Sequence, residues 1–264
     1  MNRIVELFQQ KDQDILNIYF TAGYPELQDT MTVIRALEEA GVDLVEIGMP
    51  YSDPLADGPT IQESGTQAIK NGMTLDLLFQ QIEEVRQHSN IPLVMMGYFN
   101  QVMQYGEEKF FKRVAEVGVD GLILPDLPIF EYDSLYKDML EANDLTISFL
   151  ITPQTSEERI RKIDELTRGF IYMVSNSSIT GAKTGISEAQ LAYFNRINDM
   201  QLNNPRLIGF GISNHATFRT ACKYSKGAII GSAFIRHLAK AKDIRQATLD
   251  FVKMVKEDIK TPVV

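Results

Sequence analysis

A barrel of eight parallel strands wrapped by helices is the fold that this 264-residue sequence predicts, on three observations. Short apolar, β-rich runs recur along the whole chain, segments of helical periodicity separate them, and no glycine-rich dinucleotide turn follows the first run. Strand–helix alternation implies βαβ units and a parallel sheet. Eight such units in about 250 residues fit a (β/α)8 TIM barrel. A doubly wound open sheet is the alternative, but it would normally open with a G-x-G-x-x-G turn. Here the first run passes instead into Thr21-Ala22-Gly23-Tyr24-Pro25.

Each element follows from its own pattern. Ile4, Leu7 and Phe8 have helical spacing and predict a short amphipathic N-terminal helix. Glu6 and the polar run after Phe8 argue against a signal peptide. The first strand is expected at 15–21, followed by a helix at 28–40 carrying Met31, Ile34, Leu37 and Ala40. A strand at 43–48 precedes a helix at 75–87 with Leu75, Leu78, Ile82 and Val85. A strand at 92–98 precedes a helix at 107–117 with Phe110, Phe111, Val114 and Val117. The next pairs are 119–124 with 131–142 (Leu135, Met139, Leu140) and 146–151 with 157–167 (Ile160, Ile163, Leu166). Then come 170–175 with 187–198 (Leu191, Phe194, Ile197) and 206–210 with 214–224. The last pair is 227–231 with 243–258, where Ile244, Ala247, Phe251 and Val255 mark the apolar stripe. Several strands are nearly continuous apolar runs, as a sheet covered by helices requires. No linker or low-complexity stretch interrupts the series, so residues 1–264 are expected to form one domain. The longest irregular stretches, 49–60 and 176–187, both follow strands and so belong to the face where barrel active sites are built.

Composition narrows the function classes. Hydrophobic residues make up 44% and charged residues 23%, as in ordinary globular domains, and the net charge is −9 with no long basic stretch, which argues against nucleic-acid binding. Cys222 is the single cysteine, so no internal disulfide can form, which fits a reducing cytoplasm. His88, His215 and His237 show no metal-ligand spacing. No apolar run is long enough to span a membrane.

One residue stands out against this background. In Asp43-Leu44-Val45-Glu46-Ile47-Gly48-Met49-Pro50 a glutamate interrupts an apolar strand. Burying an ionised carboxylate is costly unless it is paired or its pKa rises. Strand alternation puts Glu46 on one face with Leu44 and Gly48, and the β-branched Val45 and the bulky Ile47 on the other. The second pair suits packing under the outer helices, so Glu46 is expected to point into the barrel near the C-terminal end of strand 2. Its pKa should then rise toward neutrality, which suits a group that both gives and takes a proton. The structural alternative is a buried ion pair, but Arg206 is the only basic residue in any predicted strand. The following loop adds Asp53 and Asp57 and is stiffened by Pro50, Pro54 and Pro59.

A second constellation lies at the other end of the chain. Strand 7 runs into Gly209-Phe210-Gly211-Ile212-Ser213-Asn214, and strand 8 into Ile229-Ile230-Gly231-Ser232-Ala233-Phe234. The loops after strands 7 and 8 are the usual phosphate site of such barrels. Glycine allows close backbone approach, and a following helix N-terminus offers unpaired N–H groups. Ser232 adds a hydroxyl, and Thr180-Gly181 after strand 6 a third wall. Tyr19, Met96, Tyr98, Phe149 and Tyr172 fall in predicted strands and could line an apolar pocket. Tyr172 shares parity with Phe170 and Val174, which would bring its hydroxyl near Glu46. From the residues alone the site suits a phosphate-bearing, partly aromatic small substrate acted on by carboxylates. A retro-aldol cleavage and an isomerisation both fit. A Schiff-base aldolase does not, because no lysine lies in a predicted strand.

These residues carry a resemblance. The run Glu46-Ile47-Gly48-Met49-Pro50-Tyr51-Ser52-Asp53-Pro54-Leu55-Ala56-Asp57-Gly58-Pro59-Thr60-Ile61-Gln62 is similar to the signature of the tryptophan synthase α-subunit family. Tyr98-Phe99-Asn100, Thr180-Gly181, Gly209-Phe210-Gly211-Ile212 and Gly231-Ser232-Ala233 match at corresponding places, so the resemblance spans essentially the whole chain. It implies a (β/α)8 barrel with additional short helices. It also implies reversible cleavage of indole-3-glycerol phosphate to indole and glyceraldehyde 3-phosphate. By this resemblance Glu46 is the acid–base catalyst, Asp57 binds the indole N–H, and Tyr172 lies beside the glutamate. Gly181, Gly211, Gly231 and Ser232 would hold the phosphate, and Tyr19, Met96, Tyr98 and Thr180 would line the indole pocket. No cofactor or metal is implied for this chain. The resemblance further implies a pyridoxal-phosphate β subunit as partner in an αββα complex, contacted by the Ser52–Asp57 loop. A non-catalytic regulatory subunit of that complex and another phosphate-site barrel enzyme are the alternatives. One segment departs from the family pattern. In Ser175-Asn176-Ser177-Ser178-Ile179-Thr180-Gly181, Asn176 stands where the family has arginine and Ser178 where it has glycine. The lid that this loop forms in the family, and its coupling to the partner, are therefore expected to differ here.

Overall fold

The computed structural model describes residues 1–54, 57–175, 187–209 and 211–258. Its strands are β1 (Ile15–Thr21), β2 (Leu44–Gly48), β3 (Leu93–Met96), β4 (Gly121–Ile123), β5 (Thr146–Ile147), β6 (Leu150–Ile151), β7 (Ile171–Val174), β8 (Arg206–Gly209) and β9 (Gly227–Ile230). They form one sheet in the order β5-β4-β3-β2-β1-β9-β8-β7-β6, with parallel pairing throughout. The single strand expected at 146–151 is two short pieces. Ser148 still donates its N–H to Leu122 at 3.0 Å, toward β4, while the next carbonyl, of Phe149, accepts from Tyr172 at 2.9 Å, toward β7. One continuous stretch thus supplies both ends of the sheet, and the barrel closes through it. The change of neighbour within two residues breaks the ladder register and accounts for the split.

The helices are α1 (Arg3–Gln10), α2 (Asp29–Glu39), α3 (Pro59–Lys70), α4 (Leu75–Arg86), α5 (Phe99–Tyr105), α6 (Glu107–Glu116), α7 (Ile129–Glu131), α8 (Lys137–Ala142), α9 (Glu157–Leu166), α10 (Glu188–Asp199), α11 (His215–Cys222), α12 (Ser232–Leu238) and α13 (Ile244–Lys256). Thr74, Ser156, Ser187, Asn214 and Asp243 cap α4, α9, α10, α11 and α13 by accepting a first-turn N–H, which satisfies donors that the helix itself leaves unpaired. The helix expected over 131–142 is instead α7, a π-helical turn at Tyr132–Tyr136, and α8. Three helices, α3, α5 and α12, lie outside the predicted set. Helix α3 is largely polar (Pro-Thr-Ile-Gln-Glu-Ser-Gly-Thr-Gln-Ala-Ile-Lys) and shows little apolar period, but Pro59 at its first turn is a helix-start residue. No helix among the described residues is long and apolar enough to cross a membrane.

Two apolar layers follow from strand alternation. Ile15, Leu44, Val94, Ile123, Tyr172, Leu207 and Ile229 fill the barrel interior. Leu16, Ile18, Val45, Ile47, Leu93 and Leu122 pack outward under the helices. All seven residues of β1 are buried, as a strand covered on both faces must be.

Helix α1 plugs the N-terminal end of the barrel. Ile4 joins the interior cluster, and the rings of Phe8 and Phe170 lie 5.9 Å apart. Asn2 donates through Nδ2 to the carbonyls of Asp120 at 2.7 Å and Asp144 at 2.6 Å. The Asp120 carboxylate collects Arg3 at 2.7 Å, Arg86 at 2.9 Å and the Leu93 N–H at 2.8 Å. Asp120 is 3% exposed and Arg86 9% by side chain, so the pair is desolvated. Removing one member of such a pair strands the other charge. Asp120→Ala is expected to lower stability by roughly 3–5 kcal/mol, read as a shift in the urea midpoint at unchanged slope.

Candidate active site

The site grows from β2. Leu44 belongs to the interior cluster and Val45 and Ile47 to the outer one, so Glu46 points into the barrel. It is fully buried. Asn17 on β1 donates from Nδ2 to Glu46 Oε2 at 2.9 Å, while Oε1 has no hydrogen-bond partner among the described residues. Burial pushes the carboxyl from its ordinary 4.5 up to about 8, and the Asn17 donor pulls weakly the other way. Among the described residues no cation contributes, so the ion-pair alternative finds no partner there.

Two phenols flank the carboxyl, and two glycines make room for them. Tyr19 pairs with Glu46 across the β1–β2 ladder. A Cβ on Gly48 would stand 2.1 Å from the Tyr19 hydroxyl oxygen, and one on Gly209 2.4 Å from that of Tyr172. Any side chain larger than hydrogen at either position would displace a phenol. Burial raises both hydroxyl pKa values, and the Glu46 and Asp57 carboxyls add to the shift. Both phenols therefore stay protonated, as hydrogen-bond donors, through the neutral range.

The loop after β2 brings Asp57 to this end of the barrel. Its Oδ2 accepts from the Tyr98 hydroxyl at 3.1 Å, and its carbonyl from Gln62 Nε2 at 2.8 Å. Burial raises its pKa, opposed by the Tyr98 hydrogen bond. Asp53, in the same loop, is exposed and accepts from Ser52. Tyr98 stacks on Tyr51 with ring centres 5.1 Å apart, Asn100 donates to the Tyr51 hydroxyl at 2.8 Å, and Gln101 donates to the Pro50 carbonyl at 3.0 Å. The start of α5 thereby laces the β2 loop in place. Tyr98 caps α5 and is not in a strand, because β3 ends at Met96. Met96 lies opposite Gly48 and packs against the interior cluster. Phe149 does not face the interior. It packs in the outer layer, 5.1 Å from the Tyr132 ring, because the change of neighbour at 148–149 turns it outward.

The two glycine turns end neighbouring strands, since Gly209 on β8 pairs with Ile229 on β9. Gly211 has φ +77°, a conformation that favours glycine, and a Cβ there would meet open space. Gly231 caps α12, which begins at Ser232, and a helix start presents N–H groups without acceptors inside the helix. A Cβ on Gly231 would lie 3.2 Å from Tyr19 Cδ1, so the glycine turn and the acid–base centre share the Tyr19 ring as a wall. Thr180, Gly181, Asn176, Ser178 and Phe210 lie outside the described residues. Among the described residues no group of three or more His, Cys, Asp or Glu side chains could hold a metal ion.

The structure thus adds Asn17, Gly48 and Gly209 to the site. Asn17 carried a signal of the same kind as Glu46, a polar residue on the inward face of an apolar strand. The two glycines stood in segments already noted, but only the position of the phenols gives them this role. The arrangement combines a buried protonatable carboxyl, a second carboxyl group, buried aromatic side chains and two glycine turns at neighbouring strand ends. It can protonate and deprotonate a substrate anchored by an anionic group.

Comparison with known proteins points one way. The family model for the tryptophan synthase alpha chain matches residues 5–263. The chain is similar to the tryptophan synthase alpha chain of Flavobacterium johnsoniae, with 57% identity over 91% of this chain and 95% of that one. Among solved structures it resembles tryptophan synthase subunit alpha from Legionella pneumophila, with TM-score 0.87, 29% identity and 97% of each chain covered. It also resembles a chain of the tryptophan synthase complex from Pyrococcus furiosus, with TM-score 0.84, 32% identity and 93% and 98% covered.

Proposed function

Since the chain belongs to the tryptophan synthase alpha chain family, its reaction is the reversible cleavage of indole-3-glycerol phosphate to indole and glyceraldehyde 3-phosphate, and we propose that Glu46 is the acid–base group that performs it. One observation carries the proposal: a fully buried carboxyl with no cation beside it among the described residues, aimed into the barrel beside two glycine turns. Below its raised pKa of about 8 the carboxyl is mostly protonated. It gives its proton to the ring carbon that bears the side chain. Positive charge then spreads to the ring nitrogen, where Asp57 accepts from the N–H and stabilises it. The adjacent side-chain hydroxyl passes its proton back to the Glu46 carboxylate. The carbon–carbon bond breaks, and its electron pair returns to the ring. Indole keeps the first proton, the aldehyde leaves with the phosphate, and Glu46 is ready again.

Tyr172 borders the reacting carbon in this reading, while Tyr19, Met96, Tyr98 and Thr180 hold the indole ring. Gly181, Gly211, Gly231 and Ser232 bind the phosphate by backbone N–H and hydroxyl groups. Residues 1–264 act as one catalytic domain in the cytoplasm. The partner is the β subunit of the same enzyme. An αββα assembly, with pyridoxal phosphate in the β subunit and none here, and contact through the Ser52–Asp57 loop complete the proposal. Asn176 and Ser178 would alter the lid over the substrate.

Indole release by the pure chain, titrated with β subunit, tests the whole reading. The expected result is slow release alone and a saturable rise with added partner. Full speed alone would sink the coupling. Inertness in both states would favour a purely regulatory subunit. Turnover of another sugar phosphate, with indole-3-glycerol phosphate ignored, would favour a different barrel enzyme.

A further inference from the structure

The inner layer around Glu46 contains one polar group that the reaction above does not use. Asn17 is fully buried on β1, its Cα paired with Leu44 on one side and Ile229 on the other. Its inward-facing strand neighbours are Ile15 and Tyr19. An aliphatic side chain would fill such a place without leaving polar atoms to satisfy. The Asn17 amide satisfies only half of its own capacity. Nδ2 donates to Glu46 Oε2 at 2.9 Å, while Oδ1 is buried with no partner among the described residues. Glu46 Oε1 is in the same condition. Two orphaned oxygens on two hydrogen-bonded side chains in one closed layer have no structural explanation, because each is a cost the fold could avoid.

We propose that Asn17 is a positioning residue for Glu46, its amide donating through Nδ2 to Oε2 in both ionisation states, which leaves the acid proton to Oε1. The inference rests on the reading of Glu46 as the acid–base group. A neutral amide N–H fixes the carboxyl without placing a charge beside it, and it bonds the carboxylate more strongly than the neutral acid. Oε2 stays anchored to Asn17 throughout, and Oε1 stays available for substrate. Among the described residues, the remaining polar groups around Glu46 come from three other places: Tyr19 on β1, Tyr172 on β7, and Asp57 after β2. On β3, Val94 faces it and carries no charge. None of these supplies the anchoring bond that Asn17 makes.

The test is the pH dependence of indole formation by the full chain with saturating β subunit, in Asn17→Leu and in Glu46→Gln, from about pH 6 to about pH 10. In Asn17→Leu the carboxylate loses its donor, so the limb that titrates Glu46 is expected to move upward by about one pH unit. The turnover number should fall about tenfold, with KM within about twofold of the parent. A merely structural role for Asn17 would lower activity without moving that limb. An unmoved limb therefore overturns the proposal, whether or not turnover falls. Asn17→Asp, nearly equal in size, carries the test if the leucine variant does not fold. It places a second carboxyl against the first, and the limb must again move upward. Full activity in Glu46→Gln would instead remove the underlying reading, a result distinguishable from an unmoved limb alone.

Discussion

Glu46→Gln is expected to abolish indole formation from indole-3-glycerol phosphate, with turnover falling by roughly a thousandfold or more. Glutamine keeps the shape of the side chain and can still meet Asn17, but it cannot give a proton to the ring carbon or take one from the hydroxyl. Because it spares the binding surfaces, KM should change little. The same variant makes a second statement, about stability. Glu46 is ordinarily half-ionised at 4.5 and in the fold only at about 8. Below pH 4.5 both folded and unfolded chains hold the proton, and burial costs nothing in charge. Between those values the unfolded chain releases its proton while the folded chain keeps it, so stability falls as pH rises. Above pH 8 the loss is complete and constant. Each unit of the shift corresponds to roughly 1.4 kcal/mol. Glu46→Gln has no proton to lose, so its melting temperature should match the parent near pH 4 and exceed it increasingly toward pH 8. A variant that turns over substrate normally, or one whose advantage shrinks as pH rises, would refute the assignment of a buried acid.

Asp57→Ala carries the next largest effect, a loss of roughly a hundredfold in turnover. The carboxylate is held by the Tyr98 hydroxyl at 3.1 Å and the Asp57 backbone by Gln62, whose amide donates to its carbonyl at 2.8 Å, so the group is positioned before substrate arrives. Preorganised charge is worth most where it opposes charge that develops only in the transition state. Removing it should therefore lower turnover much more than it raises KM. Single-turnover measurement of indole release separates the two. An effect confined to KM would mean that Asp57 only binds the ring. Asp53→Ala, four residues earlier on an exposed part of the loop, serves as the control and should leave the chemical step unchanged.

The sequence made the barrel legible because its code is redundant. Eight apolar runs, each followed by a helical stripe, leave few alternative topologies, and the boundaries fall within a few residues of the strands observed. The failures have local causes. The run 146–151 reads as one strand because alternation says nothing about which neighbour each residue will bond, and that change of neighbour is what turns Phe149 outward. Helix α3 escaped detection because a polar helix on the barrel rim has no apolar stripe to show. Within the site, Glu46 was legible because a charge in an apolar strand demands a reason. Asp57 was distinguishable from Asp53 only through the resemblance, and then through the Tyr98 hydrogen bond. Gly48 and Gly209 stood in noted motifs, but their role as room for Tyr19 and Tyr172 shows only once the phenols are placed.

The plug at the bottom of the barrel has a consequence during synthesis. Asn2 leaves the ribosome long before the carbonyls that hold it, which belong to residues 118 and 142 positions later. Helix α1 spans eight residues, too few to persist by itself in water. At translation speeds of about 5–20 residues per second, the nascent segment waits roughly six to thirty seconds for its acceptors to be made. Through that interval Ile4 and Phe8 have no barrel floor to enter. Helix α1 is thus translated early and seated late.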